Sequence, residues 1–146
     1  MDFPVMKTPR NVNIDITSRC NLRCAYCSFF SGPGDVNDDL PLDSWLQFIA
    51  ELGRHRVLNV ILSGGEPFCY PDLREIIAAI TANHMRFSLL SNGTLIDDAA
   101  ASFLASTRRC DHVQVSIDGA IDTTHDAFRG EGNFLKALRG VKALRA

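Results

Sequence analysis

Three cysteines, Cys20, Cys24 and Cys27, stand in a C-x3-C-x2-C spacing within Cys20-Asn21-Leu22-Arg23-Cys24-Ala25-Tyr26-Cys27, directly after an alternating apolar stretch. Thiolates are soft ligands that select iron–sulfur clusters, zinc or copper, and so tight a spacing brings three sulfurs to one point without help from distant chain. We read them as ligands of one iron–sulfur cluster. On a four-iron cube, three thiolates leave one iron without a protein ligand, an open corner where a further molecule can bind and react. A disulfide framework is disfavoured by the odd total of 5 cysteines and by a composition unlike that of small secreted domains. Structural zinc is the rival reading, and it would need Cys69, Cys110 or a histidine as a fourth ligand.

The elements that must carry such a loop can be read from the pattern. With 146 residues, 46% of them hydrophobic and 22% charged, the chain has the composition of one globular domain able to bury a core. Fifteen basic residues against 17 acidic give a net charge of −2, which points away from nucleic acid and anionic membranes as partners. The N-terminus has no apolar signal region and no stretch reaches the length of a membrane span, so a cytoplasmic protein is expected, in a compartment that keeps thiols reduced.

In order, Val12 to Thr17 alternates polar and apolar and predicts a first strand that ends at the cysteine loop. Phe29 to Asp39 reads as an exposed loop by its Gly, Pro and Asp content. Leu42, Trp45, Leu46, Ile49 and Leu52 predict a helix over 42–54, with Asp43 suiting its positive end. Trp45 there is a core residue rather than a ligand platform. Val57 to Leu62 is a nearly continuous apolar run, expected of a strand covered on both faces. A helix over 72–82, capped by Asp72, a strand over 86–90 and a helix over 97–106 follow. The last elements are a strand over 112–117 and a helix from Asn133 carrying Phe134, Leu138, Val141 and Leu144.

This is β-α four times over, with connections long enough for right-handed crossovers between parallel strands. The class is α/β, either an open doubly wound sheet or an arc of a barrel. In both, ligands gather at the C-terminal strand ends, and the unusual polar sequence falls there: Thr17 with the cysteines, Ser63-Gly64-Gly65-Glu66, Ser91-Asn92-Gly93 and Ser116-Ile117-Asp118-Gly119.

These residues resemble the radical S-adenosylmethionine (SAM) enzymes. The resemblance rests on Cys20, Cys24, Tyr26 and Cys27 after the first strand, Gly64-Gly65-Glu66-Pro67 after the second and Ser91-Asn92-Gly93 after the third. The fourth element, Ser116-Ile117-Asp118-Gly119 followed by His125-Asp126 and Arg129-Gly130, is similar to the subgroup that modifies peptides and proteins, which includes anaerobic sulfatase-maturing enzymes and maturases of ribosomal peptides. It covers almost the whole chain.

The resemblance implies a partial TIM-type (βα) barrel, with four of an expected six βα units present. The chain is then the N-terminal part of a radical SAM core over 1–146, led in by residues 1–10, with the rest of the barrel and any auxiliary-cluster domain of the SPASM or twitch type lying elsewhere, and as an incomplete fragment it is expected to be inactive alone. It implies that Cys20, Cys24 and Cys27 hold a [4Fe-4S] cluster whose open iron chelates the methionine part of SAM. Tyr26 would lie against the adenine, and the Gly64-Gly65 backbone with Glu66 would receive the methionine ammonium. Ser116 and Arg129 would take its carboxylate, with Asp118 in the same cofactor site, and Ser91-Asn92 would meet the ribose region. A carboxylate matches an ammonium, and the planar arginine fork matches a carboxylate. The implied reaction is reductive cleavage of SAM to a 5′-deoxyadenosyl radical that abstracts hydrogen from a peptide or protein residue. An electron donor such as flavodoxin or ferredoxin would serve it.

Other readings of single residues are structural. Asp118-Gly119 also fits a turn and Gly93 a strand end, whereas Glu66 between Gly-Gly and Pro has no evident packing task. Cys69 and Cys110 read as small buried hydrophobes, and His55, His84, His112 and His125 share no metal-site spacing. Two alternatives stand beside the enzyme: a non-catalytic metal- or cluster-binding partial-barrel module, and a relative acting on a nucleotide or sugar.

Overall fold

The computed structural model describes residues 7–27, 30 and 39–146. Its four-stranded sheet has the order β1-β2-β3-β4, formed by β1 (Asn11–Thr17), β2 (Asn59–Gly64), β3 (Arg86–Ser91) and β4 (Cys110–Val115). Every neighbouring pair is parallel. A doubly wound sheet reverses direction at a switch point, whereas this order never does. The architecture is therefore α/β with the strand order of a (βα) barrel arc.

Helices α1 (Leu42–Arg54), α2 (Leu73–Ala82) and α3 (Asp98–Ser106) alternate with the strands, followed by α4 (Asp122–Arg129) and α5 (Asn133–Arg145). Strand side chains alternate in direction, so one sheet face is built from Ile14, Ile16, Val60, Leu62, Phe87 and Leu89. Trp45 and Ile49 of α1, Ile76, Ile77 and Ile80 of α2, and Leu104 of α3 close the core over that face. β2 was expected to be covered on both faces, and the residues it turns away from that core are Asn59, Ile61 and the buried Ser63. Its other face adjoins a polar ladder in which Ser63 Oγ donates to Asn13 Oδ1 at 3.0 Å and Asn59 Nδ2 donates to Ser88 Oγ at 3.3 Å.

Two strands are shifted from their expected bounds by two residues. Val57 is buried but precedes the ladder, because Arg10 O first accepts from both Leu58 and Asn59 N–H, and β2 starts only there. β4 starts at Cys110 and stops at Val115, and Ile117, which drew the expected strand too far, is 40% exposed. Helix α4 was not expected, since its few apolar residues give no stripe to read. α5 buries Asn133, Ala137 and Gly140 with Leu144 packed against the core, whereas Leu138 is exposed. Asp72 occupies the N-cap of α2 without a side-chain cap bond, while Asp97 caps α3 through Ala100 N–H at 2.7 Å. Most of the loop expected over 29–39 lies outside the described residues. Among those described, no helix is long and apolar enough to cross a membrane.

Candidate active site

The cysteine loop leaves β1 at Thr17, a buried residue whose hydroxyl directs the turn. Thr17 Oγ1 accepts from Arg19 N–H at 2.9 Å and donates to Asp39 Oδ2 at 2.9 Å. Asp39 also accepts from Ser18 N–H at 3.0 Å and pairs with Arg19 Nε at 2.8 Å. A single carboxylate thus fixes three consecutive residues at the base of the loop. Leu22, at 7% exposure, anchors its middle in the protein.

β2 ends against this base. Gly65 N–H donates to Thr17 O and Glu66 N–H to Arg19 O, both at 2.8 Å. Both glycines are required by proximity: a Cβ on Gly64 would stand 2.3 Å from Thr17 O, and one on Gly65 2.3 Å from Arg19 O. Gly64 also has φ +119, a backbone conformation that side chains disfavour. With these N–H groups engaged, carbonyl oxygens are what the turn can offer a ligand.

Glu66 is fully buried and binds β3's end. Its carboxylate accepts from Ser91 Oγ at 2.8 Å, from Asn92 N–H at 2.7 Å and from Phe68 N–H at 3.3 Å. Desolvation pushes its carboxyl above the usual range, against the pull of those three donors. The turn it holds places Asn92 beside the cysteine loop, where Asn92 Nδ2 donates to Asn21 Oδ1 at 2.9 Å.

α4 grips the loop from the other side. Phe128 O accepts from Ala25 N–H at 2.8 Å, and the Tyr26 and Phe128 rings lie 5.9 Å apart. Tyr26 Oη donates to Asp118 Oδ2 at 2.6 Å, Arg129 Nη2 donates to Tyr26 Oη at 2.7 Å, and Arg129 Nε pairs with the same Asp118 oxygen. The triangle ties the aromatic of the cysteine motif to the end of α4. Three further side chains hold α4 itself; the sequence marks His125 and Asp126 within the fourth motif and Asn133 as a helix start, but gives no holding role to any of them. Buried His125 accepts from Asp118 N–H at 3.3 Å. Asp126 caps α5 by accepting from Gly132 N–H at 2.7 Å and Phe134 N–H at 2.8 Å. Asn133 Nδ2 returns the contact by donating to Arg129 O at 2.8 Å. A capping aspartate several residues upstream of Gly130-Glu131-Gly132-Asn133 was the available signal.

These pieces enclose a cavity of about 340 Å³. Cys20, Cys24 and Cys27 line it together with Tyr26, Gly64 and Gly65. Ser91, Asn92, Ser116 and Arg129 also stand on its wall, as does Ser63 of the expected rim, and Asp15 joins them unexpectedly. Glu66 and Asp118 are not on that wall: Glu66 stands behind Ser91 and Asn92, and Asp118 is bonded to Tyr26 and Arg129. Desolvation pushes the Cys20 and Cys24 thiols up, with Arg129 pulling Cys24 back. Among the described residues, no three His, Cys, Asp or Glu side chains meet closely enough to hold one metal ion. Sulfurs spread around one cavity suit a group whose ligands bind different metal atoms better than the tight tetrahedron of zinc.

A parallel βα arc whose first loop presents three cysteines beside a glycine turn defines a barrel-type α/β protein with a thiol-lined site at the C-terminal ends of its strands. The chain belongs to the Radical SAM superfamily, whose family model matches residues 14–146. It is similar to mycofactocin maturase MftC of Mycobacterium ulcerans, at 37% identity over 132 residues, covering 90% of this chain and 35% of that protein. It is equally similar to the AdoMet-dependent heme synthase of Methanosarcina barkeri, at 37% identity, covering 94% of this chain and 39% of that protein. Among solved structures, Streptococcus suis SuiB bound to S-adenosylmethionine shares the fold, with a TM-score of 0.76 at 21% identity, covering 92% of this chain and 30% of SuiB. The chain thus spans about a third of the length of these relatives.

Proposed function

We propose that these residues form the first four βα units of a radical SAM core that binds a [4Fe-4S] cluster and SAM and acts on a peptide or protein residue. The observation that carries the reading is that the three cysteines and the Gly64–Gly65 turn line one cavity. When bound, a reduced cluster and SAM would supply one-electron cleavage of the sulfonium C5′–S bond, releasing methionine and a 5′-deoxyadenosyl radical able to take a hydrogen atom from substrate.

The chain's own part is to bind, orient and exclude water. Cys20, Cys24 and Cys27 hold the cluster as thiolates, and the proton each sheds makes loading pH-dependent. The Gly64–Gly65 carbonyls accept from the methionine ammonium, and Glu66 behind them adds negative potential. Ser116 and Arg129 receive the carboxylate. Arg129 already gives N–H groups to Asp118 and Tyr26, but a guanidinium has five and keeps others free for it. Tyr26 lies against the adenine, and Ser91–Asn92 borders the ribose. An electron donor such as flavodoxin or ferredoxin serves the cluster, and reduced thiols fit a cytoplasmic setting.

A peptide substrate is supported by the name mycofactocin maturase and by SuiB having been crystallised with its precursor peptide SuiA. A tetrapyrrole is the second reading, favoured by the equal identity to heme synthase. Anaerobic reconstitution tests the core claim. About four irons per chain are expected, with 5′-deoxyadenosine on adding SAM and reductant when the rest of the barrel is present, and Cys20→Ser, Cys24→Ser or Cys27→Ser should lose the cluster while Cys69→Ser keeps it. One tightly held zinc and no nucleoside product would replace the enzyme with a metal-binding module. Stimulation of product by a peptide rather than a porphyrin decides the substrate class.

A further inference from the structure

The loop carrying Cys20 runs beside the turn that ends β3, and there Asn92 Nδ2 lies 3.8 Å from Cys20 Sγ. The orientation of this amide is settled by its other contacts. Asn92 Oδ1 accepts from Thr94 N–H at 2.9 Å and from Thr94 Oγ1 at 2.7 Å. A backbone N–H can only donate, so the oxygen must face Thr94 and the NH2 must face the cysteine loop. One of the two amide hydrogens meets Asn21 Oδ1 at 2.9 Å, which leaves the other for the sulfur. Asn92 is itself 7% exposed, and its backbone is fixed by Glu66, so the donor is held rather than free to swing into water. Cys20 Sγ has a second donor in Leu22 N–H at 3.4 Å, which belongs to the loop itself. Asn92 is the donor delivered from a different strand.

We infer, resting on the cluster reading above, that Asn92 is a positioning and tuning residue: its side-chain amide donates to the Cys20 thiolate and raises the reduction potential of the cluster that Cys20 holds. Reduction adds negative charge to the cluster and its sulfurs, and a fixed N–H dipole stabilises the charged form more than the uncharged one. The strand that borders the nucleotide thereby also sets how readily the cluster accepts an electron.

The test is a redox titration followed by electron paramagnetic resonance on the anaerobically reconstituted chain, alongside its iron content. Asn92→Ala should keep the iron of the parent and titrate at a more negative potential. Asn92→Asp, which keeps an oxygen for Thr94 but turns a carboxylate oxygen towards sulfur, should shift further in the same direction. Asn21→Ala removes the other partner of the amide and should leave the potential where it was. An unshifted Asn92→Ala overturns the inference, as does an equal shift in Asn21→Ala, which would trace the effect to loop placement. If Asn92→Ala loses iron, Asn92→Asp decides, and loss of iron in both makes the residue purely structural and also overturns it. A parent chain that binds no cluster overturns the cluster reading and this inference together, whereas a loaded parent with unshifted variants defeats this inference alone.

Discussion

Gly140 of α5 presses on the carbonyl of Gly93: a Cβ built on Gly140 would stand 2.2 Å from that oxygen. Gly93 is equally confined, with φ +77 and the Val115 side chain 2.6 Å from where its own Cβ would be. The helix therefore rests on the turn that carries Asn92. In an unencumbered helix, Gly→Ala adds up to about 1 kcal/mol of stability. Here Gly140→Ala should instead cost about 1–3 kcal/mol, because backbone must move to admit the methyl. Urea unfolding measures it, and a stability at or above the parent would mean that α5 does not bear on the turn.

Glu66 gives a pH signature. Its folded pKa is raised, chiefly by desolvation, so the native state holds the proton more tightly than the unfolded chain. Its contribution to stability is greatest below the ordinary glutamate value of about 4.3 and falls as pH rises through the raised native value. Glu66→Gln removes that slope, so the variant should gain on the parent between acid and neutral pH. Chemical denaturation at several pH values reads this, and a constant difference would contradict it. Glu66→Ala orphans the Asn92 N–H and should cost about 1–3 kcal/mol.

The Tyr26–Asp118–Arg129 triangle should open in acid. The bond from Arg129 holds the Asp118 carboxyl below the usual carboxylate range, with Tyr26 assisting against desolvation. A depressed pKa means the link is intact above the ordinary aspartate value of about 3.9 and is lost only as pH falls through the lower native value. Carbon-13 signals of the tyrosine rings follow it. Tyr26 should shift in that range, while Tyr70, whose hydroxyl donates to Leu40 O at 3.0 Å, serves as the internal reference. Asp118→Asn should abolish the Tyr26 transition, and its persistence would assign the titration elsewhere.

Asp39 makes loop order depend on one side chain that is 7% exposed. Asp39→Ala removes the carboxylate that accepts from Ser18 N–H and Thr17 Oγ1 and should cost about 1–3 kcal/mol. It should also speed hydrogen exchange at Ser18 and Arg19 while leaving the α2 amides as protected as in the parent. Unchanged exchange at those two residues would show that the carboxylate does not order the loop.

Much of the site was legible because local chemistry marks it. Cysteines, paired glycines and strand-end serines sit where their residue types alone are informative, and the structure gathers them on one cavity. The burial of Glu66 was not legible, since it depends on Ser91 and Asn92 approaching from 25 and 26 residues away. Nor was α4, whose position follows from the reciprocal capping of Asp126 and Asn133 rather than from an apolar stripe. Asp39 was read as part of an exposed loop, for nothing in its neighbours announces a long-range bond to Thr17. Strand centres could be read but their ends could not. Ladder pairing starts where a partner offers its groups, as Arg10 O does for Leu58 and Asn59.

The unbroken β1-β2-β3-β4 order bears on how the molecule is made. Each strand docks beside the one synthesised just before it, so no strand has to wait for a later one to find its neighbour. Loop closure stays short and the growing chain can settle unit by unit as it leaves the ribosome. The cysteine loop meets its glycine partner as soon as the second strand is in place, early in that sequence, and the emergence of α4 then adds its other support.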